Sequence, residues 1–162
     1  ALIELIFDIE NDNVREALQD MDIACDDDTI IIHDSVRPLS DPTVLTDVIE
    51  KAQKFGNAVT SLPYNEQIFV VDDEDPETTT RFIPRETLRR VSTPQAYRFD
   101  LLDSKYHEAF ETGVGIYGSH YTNTMMVELG VRLHLAAGSD KNIKLTTPDD
   151  LEIFRGYMHR NK

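Results

Sequence analysis

A Rossmann-like α/β fold, with a mostly parallel sheet, helices on both faces and a projecting β-arm, is predicted by three observations. The run "TIIIH" at 29–33 is apolar without alternation, the pattern of a central strand covered on both faces. "SDPTVLTDVIEKAQKFG" at 40–56 carries helix start and stop signals, and "NAVTSLP" at 57–63 reads as a second strand. Strand, helix and strand within this short span form the β-α-β unit of a parallel sheet. Third, the texture changes between 64 and 92, where two apolar runs flank an acidic turn segment containing Pro76, as a projecting hairpin would.

The elements follow in order. Residues 2–20 read as an amphipathic helix on Leu2, Ile3, Ile6, Phe7 and Ile9, broken near "ENDN". No N-cap precedes it and Ala1 rather than Met opens the sequence, so a chain cut inside a helix is expected. In the helix at 40–56, Ser40 or Asp41 is the cap and Pro42 lies in the first turn. Val44, Leu45, Val48, Ile49 and Ala52 make the apolar stripe, and Gly56 is the stop. "TPQAYRFDLLDSKYHEAF" at 93–110 reads as a turn continuing into a helix that ends near Gly113, and 119–129 as another helix. "VRLHLAAG" at 131–138 alternates like a strand, "NIKLTT" at 142–147 is a short extended piece, and "TPDDLEIFRGYMHR" is a capped final helix. The whole, 1–162, is one domain with an arm at about 64–92, since domains commonly run to about 100–200 residues.

The bulk chemistry narrows the function. With 40% hydrophobic and 28% charged residues a core is expected, and no apolar run is long enough to span a membrane. A net charge of −14 argues against nucleic acid and anionic membranes as partners. A small anionic ligand remains open because cations are concentrated: Arg81, Arg85, Arg89, Arg90 and Arg98 fall close together. The single cysteine, Cys25, forbids a disulfide within the chain and fits a reducing cytoplasm. The acidic "DDD" beside it suppresses the thiolate, so it reads as structural. Asp34 and Arg37 follow the end of the first central strand, where open parallel sheets bind ligands. From spacing alone they are either the floor of such a site or an ion pair closing the strand.

Three pieces, "HDSVRP" at 33–38, "TPQAYRFDLL" at 93–102 and "NIKLTTPDDL" at 142–151, resemble in order and separation the cytidylyltransferases that act on polyol phosphates. One branch makes CDP-ribitol from ribitol 5-phosphate, and another makes CDP-methylerythritol from 2-C-methyl-D-erythritol 4-phosphate. The resemblance implies CTP and a polyol phosphate as substrates, Mg2+ as cofactor and a homodimer held through the 64–92 arm. It makes Lys144 the lysine that positions the substrate phosphate. Arg85 becomes the arm arginine that reaches the acceptor phosphate across the dimer. Asp34, Ser35, Arg37, Thr93 and Thr122 become substrate or nucleotide contacts, with Asp34 also a candidate metal ligand. Thr93 lines the acceptor pocket in that reading, with a helix N-cap before Pro94 as the alternative that can hold beside it. His33 packs at the strand end, and Arg81, Arg89 and Arg90 are surface or dimer-contact residues.

The departures also matter. Glu66–Gln67 stand where the methylerythritol branch has Asp-Thr, and Thr122–Asn123 where both branches have Thr-Asp. Val36 and "IPR" at 83–85 lean toward the ribitol branch. The glycine-rich loop that wraps the triphosphate in the family has no counterpart here, which leads to the expectation that the sequence is an acceptor-side and arm portion, inactive by itself. The expected activity is CMP transfer from CTP to ribitol 5-phosphate, a product class that serves teichoic acid or capsule synthesis. Methylerythritol phosphate is the alternative acceptor, and a non-catalytic dimerisation or regulatory relative is the alternative of another kind.

Overall fold

The computed structural model describes residues 2–6, 27–116 and 121–160, and for 2–6 and 160 the backbone course only. The elements are β1 (Leu2–Ile6), β2 (Thr29–His33), α1 (Pro42–Phe55), β3 (Asn57–Pro63), β4 (Ile68–Val70), β5 (Arg81–Ile83), a 3₁₀ turn at Arg85–Thr87, and β6 (Arg89–Arg98). They continue with α2 (Phe99–Thr112), α3 (Thr122–Glu128), β7 (Leu135–Ala137) and α4 (Pro148–Arg160). The main sheet has the order β1-β2-β6-β3-β7, and β4 and β5 form a separate two-stranded ribbon.

β1 and β2 are parallel, as are β3 and β7, whereas β6 runs antiparallel to both β2 and β3. Four of the five strands therefore point one way, and β2 and β3, joined through α1, are parallel in direction with β6 inserted between them. Period-two alternation divides the core. Ile30, Ile32 and Tyr97 face α2 and α3, packing with Leu102, Tyr106, Ala109, Met125 and Met126. Ile31 and Ala96 face the other way, toward Val48 and Ala52 of α1, with Ala58 and Ala136 alongside. The alanines keep that second interface thin, so α1 lies close on the sheet. Helices cover both faces.

α1 is built as its sequence specifies. Asp41 accepts from the Thr43 N–H at 2.9 Å, Val44, Val48 and Ala52 are buried, and Gly56 at φ +86° closes the helix by donating to the Ala52 carbonyl. The ribbon β4–β5 is the predicted arm. Its strands pair Phe69 with Phe82, two side chains that stay 63% and 65% exposed, and no residue from Leu62 to Ser92 is buried.

Three sequence expectations are corrected. Residues 2–6 form a strand parallel to β2, not the start of a helix; the rest of that expected helix and Cys25 lie outside the described residues. "TIIIH" has a parallel neighbour on one side only, because β6 lies antiparallel on the other. "TPQAYR" is strand rather than turn and helix start, with residues 93–97 all buried, and α2 begins only at Phe99. Thr93 therefore caps no helix.

β6 is irregular where it passes the site. Val59 pairs with Gln95, but the next residue, Thr60, pairs with Ser92, so Thr93 and Pro94 bulge from the ladder. Pro94 has no N–H to give, and its carbonyl accepts from the Thr60 hydroxyl at 2.7 Å. Such a bulge re-aims side chains, and here the re-aimed residue is Thr93.

Candidate active site

The site forms beyond the carboxyl end of β2, where that strand, the bulge of β6 and the loop after β7 converge. The turn after His33 is closed by the Arg37 N–H on the Asp34 carbonyl at 3.0 Å. That turn brings the Arg37 Nε to 2.9 Å from Asp34 Oδ2. His33 shapes the same turn from below: its Nε2 lies 3.1 Å from the Arg37 carbonyl and 2.9 Å from the Ser40 hydroxyl. It packs at the strand end, as its place in the sequence suggests.

Thr93 Oγ1 accepts the Asp34 N–H at 3.0 Å, which fixes the first and second motifs to one another. Asn142 supplies the remaining stitches. Its amide donates to the Thr93 carbonyl at 2.6 Å, and its own backbone carbonyl accepts from Arg37 Nη1 at 2.8 Å. Two residues on, Lys144 places Nζ 3.9 Å from Asp34 Oδ2 while staying 41% exposed, and the Leu145 N–H donates to the Val36 carbonyl at 2.8 Å. All three sequence motifs thus meet through hydrogen bonds.

The loop that carries Lys144 is held at its far end by the start of α4. Asp150 Oδ2 accepts from the Thr146 N–H at 2.9 Å and the Thr147 N–H at 2.7 Å, and the Thr147 hydroxyl accepts from the Asp150 N–H at 3.2 Å. This is a reciprocal capping box with Asp in place of Glu. Backbone donation from Thr146, with the Thr147 side chain and backbone, holds the Asp150 carboxyl at about 2.

A cavity of about 270 Å3 opens on this junction. Its lining includes Asp34 with the Arg37, Thr93 and Lys144 that contact it, and Gln95, Thr122 and Asn123, the first two of which are backed by buried tyrosines. A larger cleft of about 450 Å3 lies beside Pro38–Pro42, Lys141 and Tyr157, but Asp41 there is spent on capping α1 and none of the three motifs' Asp34, Arg37, Thr93 or Lys144 lines it. The smaller cavity holds the chemistry. Two cations share one carboxylate, leaving its floor one unit positive in a chain of net charge −14. A phosphate is the group such a floor suits.

Asp34, Arg37, Thr93, Thr122 and Lys144 are thus brought together as the sequence reading requires. Ser35 is exposed on the turn and is not among the cavity's lining residues. Arg85 stands on the arm, donating to the Asn65 carbonyl at 2.9 Å and lying 3.7 Å from Glu86, and it does not line the cavity within this chain. Glu66 and Gln67, also on the arm, are likewise absent from the lining. Sequence reasoning missed Asn142 and Gln95, although both stand inside quoted motifs. Asn beside an apolar residue at the head of "NIKLTT" was the available signal.

Magnesium commonly takes one or two carboxylates and completes its shell with phosphate and water. Among the described residues no group of three His, Cys, Asp or Glu side chains could hold a metal. Asp34 is the one carboxylate among the described residues of the cavity lining, and both of its cation contacts fall on Oδ2.

Comparison with known proteins now bears on this geometry. The family described as "IspD: 2-C-methyl-D-erythritol 4-phosphate cytidylyltransferase" matches residues 8–160. The chain belongs to this family. It is 54% identical over 151 residues to a ribitol-5-phosphate cytidylyltransferase of Lacticaseibacillus paracasei, covering 93% of this chain and 64% of that protein. To a 2-C-methyl-D-erythritol 4-phosphate cytidylyltransferase of Syntrophotalea carbinolica it is 32% identical, covering 91% of this chain and 60% of that one. The crystal structure of the methylerythritol enzyme from Thermus thermophilus superimposes with a TM-score of 0.74 at 26% identity, over 90% of this chain and 67% of that one. The Francisella tularensis enzyme gives 0.77 at 22% identity, over 88% of this chain and 64% of that one, and shares the fold. The chain spans less than two thirds of the length of these curated relatives. Among the described residues no helix of this cytidylyltransferase-family chain is long and apolar enough to cross a membrane.

Proposed function

We propose that this chain is the acceptor-side part of a cytidylyltransferase that moves CMP from CTP to ribitol 5-phosphate, releasing pyrophosphate and CDP-ribitol. The observation that carries the choice of acceptor is the 54% identity to the Lacticaseibacillus protein, well above the 32% to the methylerythritol relative. The shared cationic floor at Asp34, Arg37 and Lys144 supports the reaction class.

In this reaction an oxygen of the acceptor phosphate attacks the α-phosphorus of CTP. The bond from that phosphorus to the bridging oxygen breaks, and pyrophosphate leaves with the electron pair. An ionised phosphate needs no general base, so the work is positioning and charge stabilisation. Lys144 holds the attacking phosphate, and Arg37 keeps Asp34 in place beneath it. Thr93 locks the backbone of Asp34, and Thr122 lines the same cavity. Asp34 would hold Mg2+, which when bound offsets charge on the triphosphate. Ser35, on the exposed turn, contacts the nucleotide side.

Arg85 acts from the arm of a second copy. Three features support this: the exposed Phe69–Phe82 pair, the absence of buried residues along the ribbon, and the absence of Arg85 from the cavity lining. Such a dimer in a reducing cytoplasm is consistent with a chain of one cysteine. Methylerythritol 4-phosphate is the second reading of the acceptor, favoured by the family's own description. The test is a transfer assay on the complete natural polypeptide with CTP and each polyol phosphate. Faster formation of CDP-ribitol is expected. Preference for methylerythritol phosphate would reassign the acceptor, and no transfer to either would reject the enzymatic reading.

A further inference from the structure

The proposed reaction uses the cations of the cavity and gives no task to Gln95 or to what backs the wall it shares with Thr122. That wall carries Gln95 and Thr122, which are only 4% and 1% exposed yet line the cavity. Each is held from behind by a buried phenol. Tyr97, fully buried, donates its O–H to Gln95 Oε1 at 2.6 Å. The Tyr106 hydroxyl lies 2.7 Å from Thr122 Oγ1.

A phenol has one proton to donate, so the Tyr97 bond pins the Gln95 amide by its oxygen. The two N–H donors at the other end of the amide are then left for the cavity. Gln95 lines the cavity, so acceptor atoms of a bound ligand can meet those donors. The cavity volume of about 270 Å3 lies below the range typical of drug-sized ligands, which suits a small acceptor rather than a whole nucleoside triphosphate. Burial raises both phenols, Tyr106 to about 12, so each keeps its proton across the neutral range.

We propose that Tyr97 is a positioning residue that fixes the Gln95 amide as a hydrogen-bond donor toward the hydroxyl oxygens of the acceptor's polyol chain, with Tyr106 holding the Thr122 hydroxyl on the same wall. This rests on the transferase reading above, and deepens it by dividing the cavity into a phosphate side and a hydroxyl side. The amide recognises the hydroxylated carbon chain, and the Lys144 side recognises charge.

The experiment uses the complete polypeptide and measures kcat and the KM for CTP and for ribitol 5-phosphate separately. Tyr97→Phe keeps the ring but frees the amide to turn over. It is expected to raise the acceptor KM by about threefold to tenfold, the effect of one hydrogen bond, with kcat and the CTP KM within about twofold. Gln95→Glu keeps an oxygen for Tyr97 but replaces the donors with an acceptor. It is expected to raise the acceptor KM further still, and Gln95→Met to fall between the two. A purely structural role for Tyr97 would lower the melting temperature and leave the acceptor KM alone. An active wild type whose acceptor KM is unchanged in Gln95→Glu and Gln95→Met overturns the inference, whatever Tyr97→Phe does to folding. A wild type with no polyol-phosphate transfer rejects the transferase reading itself, and this inference with it.

Discussion

The pocket at the end of β2 and the arm formed by β4 and β5 are made of similar materials and are finished differently. Both bring arginine and carboxylate side chains together. In the pocket, Asp34 is held by Arg37, Lys144 and the Thr93 hydroxyl, and Asn142 bridges two loops from far apart in the sequence. On the arm, Arg81 meets Asp73 at 3.6 Å and Arg85 meets Glu86 at 3.7 Å, contacts between close neighbours on an exposed ribbon. Exposed ion pairs of that kind contribute about 0–1 kcal/mol. The difference teaches where each region gets its order: the pocket from long-range hydrogen bonds within one chain, the arm from local turn geometry, with its apolar face uncovered among the described residues.

The sharpest way to break the comparison is to remove one apolar side chain from each region. Ile32→Ala, in the core under the pocket, is expected to cost about 2–5 kcal/mol in denaturant unfolding. Phe82→Ala, on the arm, should stay within about 0.5 kcal/mol for the separated chain. Equal losses would mean that the arm is packed within the chain after all.

The next contrast is catalytic. Lys144→Ala and Arg85→Ala, in the complete polypeptide, are each expected to lower kcat by about a hundredfold or more with the fold intact by circular dichroism. Arg85 lies outside the cavity, so its effect should appear only in the dimer. Mixing inactive Arg85→Ala with inactive Asp34→Ala subunits should then restore part of the activity. No recovery on mixing would place Arg85's action within one subunit.

The arm face gives a smaller, quieter readout. Phe69→Ser with Phe82→Ser should shift the mass seen by light scattering toward the monomer, while the unfolding midpoint of the isolated chain moves little. An unchanged mass would remove the arm from the dimer contact.

The smallest effect concerns pH. The Asp150 carboxyl is held at about 2, below its ordinary value of 3.8, by the donors of the "TTP" turn. A group whose folded pKa is depressed contributes stability above its unfolded value and loses it as pH falls through the folded one. The turn beside Lys144 should therefore loosen between about pH 4 and 2. In Asp150→Asn the backbone amide signals of Thr146 and Thr147 should show no such step. A step that persists in that variant would assign the titration to another group.

How much of this was legible in the sequence follows from the range of the forces involved. The segment 29–63 was readable because its signals are local: a β-branched run, an Asp cap, a Pro in the first turn and a left-handed Gly stop. Residues 2–6 misled because Leu2, Ile3 and Ile6 suit a helix face and a strand equally, and only pairing with β2 decides. β6 misled because Thr93–Pro94 looks like a turn, whereas burial of Ala96 and Tyr97 on opposite faces makes it a strand. Its direction was not readable at all, since side-chain alternation is the same whichever way a strand runs.

The site shows the same division. Asp34, Arg37, Thr93, Thr122 and Lys144 were found through motifs and meet in one cavity. Asn142 and Tyr106 were missed because their partners are brought near by folding, and Gln95 with Tyr97, two positions apart, because only the strand at 89–98 puts them on one face. Tyr106 lies sixteen positions from Thr122, and Asn142 lies forty-nine from Thr93.

β6 begins at Arg89, at the root of the arm, and within ten residues has lined the cavity with Val91, Ser92, Thr93 and Gln95. In mechanical terms it is a pushrod. From Arg89 to Ser92 the strand is paired with β3, and from Gln95 to Tyr97 it is held between β3 and β2, so a displacement applied to the arm meets no slack loop before it reaches the Asp34 turn. The one break in its pairing with β3 is the bulge at Thr93–Pro94, and it lies at the pocket. A push on the arm would be delivered to the cavity.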